Sequence, residues 1–252
     1  MPASPTSAPS ASPIPVDSIA TVVTDDLRVR SKPEVSDSSE LRTPLLDNGH
    51  QVFVVDGPVS GSGYDWYLVA PMNEVGEQGI PFGWVAAADK TGEPWLAAGG
   101  ATCPDIPDSF TDFAAIPSLV ALACFGDTEI SFAARVVRPE ATCGVDPGWA
   151  IVPDWLGDIC YAPEFIVIDP TGTANDFESI TEPGVDASGI DAGVTLEDAV
   201  DVVITGHHDH EDSGTCEVEV FEGGTPPDIT PEQAVVICRS HFVITAIEEA
   251  AA

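Results

Sequence analysis

Leu27-Arg28-Val29-Arg30-Ser31-Lys32-Pro33 alternates apolar and basic side chains until Pro33 ends the run. A period of two puts Leu27 and Val29 on one face and Arg28 and Arg30 on the other, the pattern of a half-buried strand. The following blocks have the same size. Gln51 to Val55 runs into Asp56-Gly57-Pro58, Tyr64 to Ala70 follows Ser60-Gly61-Ser62-Gly63, and Gly83 to Ala87 follows a loop over 73–81. Each is apolar or alternating and bounded by Gly, Pro, Asp or Ser, as the strands of a small barrel are. Pro44-Leu45-Leu46-Asp47-Asn48-Gly49 reads as a turn. Ala97 to Pro107, rich in Gly and Pro, reads as a connection out of this region.

In this order and spacing, LRVRSKP, VFVVDGP, WYLV and GWVAA resemble the bacterial SH3 (SH3b) family over residues 18–97. The resemblance implies an SH3-like barrel and, for such modules, a peptide or cell-wall ligand. Further on, ACFG, ISFAARV, PDWL, VVITGHHDH and CRSHFVITAI look like the OB-like barrel that often follows an SH3b module in secreted bacterial proteins, over residues 122–247. The expected architecture is all-β. A disordered Pro/Ala/Ser tether over 1–15 leads to an SH3b-like barrel over 16–97, a linker over 98–109 and an OB-like domain over 110–252. Phe110 to Leu122 suggests one or two helical turns interrupted by Pro117. Glu129 to Val137, Glu164 to Ile168, Ala199 to Gly206, Thr215 to Phe221 and Ala234 to Ile247 read as strands.

The chain of 252 residues carries 42 acids and 8 bases, a net charge of −34. Residues 1–100 hold 13 acids and 5 bases; residues 101–252 hold 29 acids and 3 bases. Such a field repels phosphate, which argues against nucleic acid and anionic membranes as partners. It is compatible with solvation of a salt-adapted surface or with cation binding, and the sequence leaves both open. No apolar run reaches the roughly twenty residues that a membrane span needs. Residues 1–15 lack a basic n-region and an apolar h-region, so a leader is expected to have been trimmed or to lie upstream.

Cys103, Cys124, Cys143, Cys160, Cys216 and Cys238 contain no C-x-x-C pair, which argues against zinc-ribbon and thioredoxin chemistry. An even number without metal spacing favours disulfides and an oxidising compartment. Neighbours along the chain give the pairing Cys103–Cys124, Cys143–Cys160 and Cys216–Cys238, one of fifteen connectivities.

Two groups of side chains are candidates for function. Tyr64, Trp66, Tyr67 and Trp84 lie on or beside strands of the first barrel, where aromatic-lined grooves take extended peptides. Some of these rings must instead fill the core. The second group is Gly206-His207-His208-Asp209-His210-Glu211-Asp212, with three imidazoles and three carboxylates. His207, His208 and His210 could hold zinc, or could be a solvated turn leaving a strand. Asp186, Asp191, Glu197 and Asp198 offer oxygen ligands for calcium, but without EF-hand spacing. Hydrolase motifs such as G-x-S-x-G and S-x-x-K do not occur, and Cys238 and His241 would point to opposite faces of a strand. The expectation is therefore a secreted or cell-surface binding protein, not itself an enzyme, with no cofactor. Its partner would be a cell-wall peptide, a glycan or an envelope protein. A metal-binding envelope protein using zinc or calcium, or an accessory part of an envelope enzyme, are the alternatives.

Overall fold

The computed structural model of the chain describes residues 13–72, 81–137, 150–151, 166–168, 200–209 and 230–250. Strand dominates among them, and the chain is of the all-β class. It divides into two compact units, Met1–Cys103 with Val220–Val236, and Pro104–Glu219 with Ile237–Ala252. No helix among the described residues is long and apolar enough to cross a membrane.

The first unit is built on seven strands: β1 (Ser18–Val22), β2 (Leu27–Arg30), β3 (Leu41–Leu46), β4 (Gln51–Gly61), β5 (Tyr64–Pro71), β6 (Gly83–Ala86) and β7 (Leu96–Ala98). They form one sheet in the order β3-β2-β6-β5-β4-β1-β7, and the pairs are antiparallel. One face is closed by β-branched side chains. Val22, Val29, Val52, Val54, Val69 and Val85 are all fully buried, each stabilising the fold by about 1.5–3 kcal/mol relative to exposure. In β2 the alternation holds: Leu27 and Val29 are buried, Arg28 is exposed and Arg30 half-buried. Gly83 is needed where β6 meets β2, because an added Cβ would come within 2.7 Å of the Arg30 carbonyl oxygen.

Two expectations for this region are corrected. Pro44-Leu45-Leu46 is strand, and the turn begins only at Asp47, with Gly49 at φ +89°. A proline fits there because β3 is the outermost strand, where a missing N–H leaves no ladder bond unmade. The connection expected over Ala97 to Pro107 likewise begins within strand β7, which adds to the edge of β1 through Val22, Thr21 and Ala20.

The second unit contains α1 (Phe110–Ala114), α2 (Ser118–Phe125), β8 (Ile130–Val137), β9 (Ala150–Ile151), β10 (Ile166–Ile168), β11 (Val200–His207) and β12 (Phe242–Glu249). Between β11 and β12 lies α3 (Pro231–Ser240). The sheet order is β10-β12-β11-β8-β9, with β10 and β12 parallel and the other pairs antiparallel. Its core is aromatic. Phe113 of α1 stacks on Phe132 of β8 at 4.6 Å and lies 4.7 Å from Phe242 of β12. Ser109 caps α1 by accepting the Asp112 N–H, and Pro117 separates the two helices. Gly206 sits at a bulge between β11 and β12, where a Cβ would strike the Val243 carbonyl oxygen and the Phe242 ring.

Ala234 to Ile247 is not one strand. Its first half is α3 and only the second half is strand β12. The cause is local. Thr230 accepts the Gln233 N–H, Gln233 Oε1 accepts the Thr230 N–H, and Pro231 occupies the first helical position. This capping box starts a helix over β-branched residues that would otherwise favour a strand. The strand expected over Thr215 to Phe221 lies outside the described residues.

Among the described residues no cysteine is free. Cys103 is bonded to Cys124, as their proximity along the chain suggests. Cys238 is also disulfide-bonded. The expected pairs Cys143–Cys160 and Cys216–Cys238 involve residues outside the described ones.

Candidate binding groove

The outward face of β2 opens onto a groove of about 350 Å³ within the first unit. One side is made by the β1–β2 turn. Asp26, at φ +55°, reverses the chain there, so that exposed Asp25 and Asp26 precede Leu27. Because Leu27 and Val29 enter the core, Arg28 and Arg30 are forced onto the groove side. Arg30 is held by a bond from Nη1 to the Ser39 carbonyl oxygen, 2.9 Å. Val35, 52% exposed, forms the rim, its N–H donating to Ser62 Oγ at 2.9 Å.

The other side is aromatic. Trp66 and Ala86 are cross-strand partners, and the small Ala86 leaves room for the indole. Trp66 is almost fully buried, with Nε1 donating to the Gly61 carbonyl oxygen at 2.7 Å. Tyr64 meets Trp66 edge-on at 5.8 Å and stacks with Trp95 at 5.9 Å. Lys90 Nζ lies 5.2 Å from the Tyr64 ring centre. The loop bearing Lys90 is fixed by Asp89, whose Oδ1 accepts from Thr91 N, Thr91 Oγ1 and Glu93 N. Those bonds, that from the Thr91 side chain first, hold the Asp89 carboxyl below its ordinary range. The bonds from Trp95 N and Leu96 N to the Ala87 carbonyl oxygen then set the Trp95 ring in place.

Tyr64 and Trp66, singled out in the sequence, therefore line the groove. Tyr67 does not. It is in the core of the sheet, 2% exposed, and its hydroxyl oxygen accepts the Ile14 N–H. The alternation placed Trp66 and Tyr67 on opposite faces, but which face is the core follows from the strands stacked over it. Trp84 is half-buried and pairs with Arg30 and Leu68, on the sheet face shared with Trp66 but away from the groove lining. Trp95, Arg28, Arg30, Asp25 and Asp26 are groove residues that the reading of aromatic strands missed. The signal for the arginines was present in the Leu27–Arg30 alternation.

The two described histidines of the expected cluster, His207 and His208, have different surroundings. His208 is 1% exposed and packed against Phe113 at 6.1 Å and Phe242 at 5.3 Å. Its Nδ1 is 3.0 Å from the Ser240 carbonyl oxygen, and burial drives its pKa down to about 4. His207 is part-buried, with Nδ1 2.6 Å from the His208 carbonyl oxygen. Asp209 makes a two-bond ion pair with Arg239, 2.6 Å and 2.9 Å, and that bonding lowers its pKa. His210 and the acids Asp186, Asp191, Glu197 and Asp198 lie outside the described residues. Among the described residues no group of three or more His, Cys, Asp or Glu side chains could hold a metal ion. The inward turn of His208 is enforced by Gly126, whose carbonyl oxygen accepts the His208 N–H, and by Arg239, whose carbonyl oxygen accepts the Asp209 N–H.

No family model, curated protein or solved structure matches this chain.

Proposed function

We propose that the chain is a non-catalytic binding protein of the cell envelope or its exterior, and that its SH3b-like first unit takes a short extended peptide in the groove beside β2. The observation that carries this reading is the union of a rigid aromatic wall, Tyr64, Trp66 and Trp95, with two outward arginines on one concave surface. Concave, largely preformed sites with a few placed polar groups are what small ligands use, and aromatic grooves suit extended peptides. At about 350 Å³ the groove stands near the small end of such clefts, which run from about 300 to 1,000 Å³. It suits a few residues of chain and not a folded partner. The Cys103–Cys124 bond supports an oxidising compartment. The OB-like resemblance of the second unit is kept as part of this proposal, with no ligand assigned to it.

The test is binding of the full chain to purified cell-wall fragments and their released peptides, followed by tryptophan fluorescence. Trp95→Ala and Tyr64→Ala are expected to weaken binding by about 1–3 kcal/mol, with the folded fraction of each variant checked by its melting curve because Trp95 also packs against the core. Unchanged binding in both variants would move the site elsewhere.

A further inference from the structure

The proposed peptide groove also carries a charge pattern that narrows its occupant. Eight basic side chains serve a chain with 42 acids, and two of the eight, Arg28 and Arg30, line this one groove. In the second unit Arg135 and Arg239 are ion-paired, with Asp201 at 3.2 Å and Asp209 at 2.6 Å. Among the described residues neither Arg28 nor Arg30 forms an ion pair. Arg28 is exposed to a ligand, and Arg30, half-buried, is held in position by the bond from Nη1 to Ser39 while its other N–H donors remain. A planar fork of N–H donors is matched to a carboxylate, which it binds through two parallel bonds.

Asp25 and Asp26 line the same groove, a few residues before the arginines along the chain. Two signs of charge therefore stand in one small cleft, beside the stacked Tyr64–Trp95 pair. An acidic glycan would satisfy the arginines and be repelled by the two aspartates. A neutral glycan would use the rings and leave four charged groups without partners. A peptide with a free amine, an apolar side chain and a free carboxylate complements all three features.

We propose that the groove selects a short zwitterionic peptide, its carboxylate on Arg28 and Arg30, its ammonium toward Asp25 and Asp26, and an apolar side chain against Tyr64 and Trp95. This rests on the peptide-binding reading above and adds its specificity. The cation pair would also explain how an anionic group approaches a chain of net charge −34. The attraction is local and strongest at low ionic strength.

The experiment uses the full chain and three synthetic tripeptides with a central leucine: free at both ends, amidated at the C-terminus, and acetylated at the N-terminus. Binding is read by calorimetry or by quenching of tryptophan fluorescence. The free tripeptide is expected to bind at least about tenfold more tightly than either blocked form. Arg28→Gln, at an exposed position, is expected to abolish the preference for a free carboxylate with no change in melting temperature, and Arg28→Lys to restore part of it. Equal binding of the free and amidated peptides would overturn the carboxylate assignment while leaving the peptide groove in place. Absence of binding by all three, with binding of a uronic-acid oligosaccharide, would overturn both. If Arg28→Gln proves unstable, the free-versus-amidated comparison in the parent chain decides alone.

Discussion

The Nδ1 atom of His208 lies 3.0 Å from the carbonyl oxygen of Ser240, while Nε2 on the other side of the ring is buried without a hydrogen-bond partner. The ring is sealed between Phe113 and Phe242. A neutral imidazole that donates from Nδ1 fits this site, whereas a proton added at Nε2 would be a buried charge with no acceptor. Burial is the main cause of the fall in pKa to about 4, and the neighbouring His207 and His241 add to it.

Acid should therefore loosen the second unit. The unfolded chain takes up the His208 proton near pH 6.5 and the folded chain only near pH 4. Between these values the unfolded state binds more protons, so stability is complete above about 6.5 and falls as the pH drops toward 4. The loss is on the order of 3 kcal/mol. Urea titrations from pH 7 to pH 4 should show the slope, and His208→Leu should remove most of it after a cost of about 1 kcal/mol at pH 7 for the lost bond to Ser240. A slope of the same size in the variant would assign it to the carboxylates.

The Arg239–Asp209 pair secures the chain on either side of that histidine. Asp209 adopts φ +56°, a left-handed conformation that Asn also tolerates, so Asp209→Asn removes the charge without straining the backbone. With both groups part-buried and joined by two bonds, the substitution should cost about 1–2 kcal/mol in chemical denaturation. Because Arg239 lowers the Asp209 pKa, this contribution is present above the ordinary carboxylate range and is lost as the pH falls through the folded value. It therefore disappears at lower pH than the His208 contribution. Asp209→Asn should leave the slope between pH 6.5 and 4 in place.

The disulfide between Cys103 and Cys124 closes a loop of about twenty residues, for which chain entropy gives about 3 kcal/mol. Reduction, or Cys124→Ala, should lower the melting temperature. Thiol counting on the denatured, unreduced protein should find neither cysteine free. A freely titrating pair would remove the main support for an oxidising compartment.

How much of this was legible before the structure depends on the range of the interactions concerned. The two outward arginines follow from four residues of alternation, and β2 keeps it. Strand β7 has three residues, too few for a period to declare itself, and so Ala97 and Ala98 read as the start of a connection. In Ala234-Val235-Val236-Ile237-Cys238, β-branched composition suggested a strand, while Thr230 and Gln233 three residues apart carried the opposing capping signal. For His208, no spacing rule could show that Phe113, 95 positions earlier by sequence number, would cover the ring. Clusters of ligand-type residues are local in sequence, but whether they converge is decided by partners from distant strands.

Tyr67 gives the sharpest separation of core from groove. Alternation puts Trp66 and Tyr67 on opposite faces, and Tyr67 is one of the four aromatic binding candidates in the sequence. In the structure its ring is packed with Val29, Val69 and Val85, and its hydroxyl oxygen accepts the buried Ile14 N–H at 3.1 Å. Tyr67→Ala should therefore act on stability, at about 3–5 kcal/mol for a large aromatic ring removed from a core. Tyr67→Phe keeps the packing and strands one buried donor, a cost of about 1–3 kcal/mol. Neither change touches the groove lining, so ligand affinity measured on the fraction that remains folded should be unchanged in Tyr67→Phe. Trp95→Ala should weaken binding, since Trp95 lies on the groove wall, and should lower stability by less than Tyr67→Ala, since the ring is only partly buried against the core. Paired melting curves and ligand titrations on these two variants separate the core face of β5 from the groove wall. An affinity loss in Tyr67→Phe at unchanged stability would place its hydroxyl, and not the wall of Tyr64 and Trp95, at the ligand.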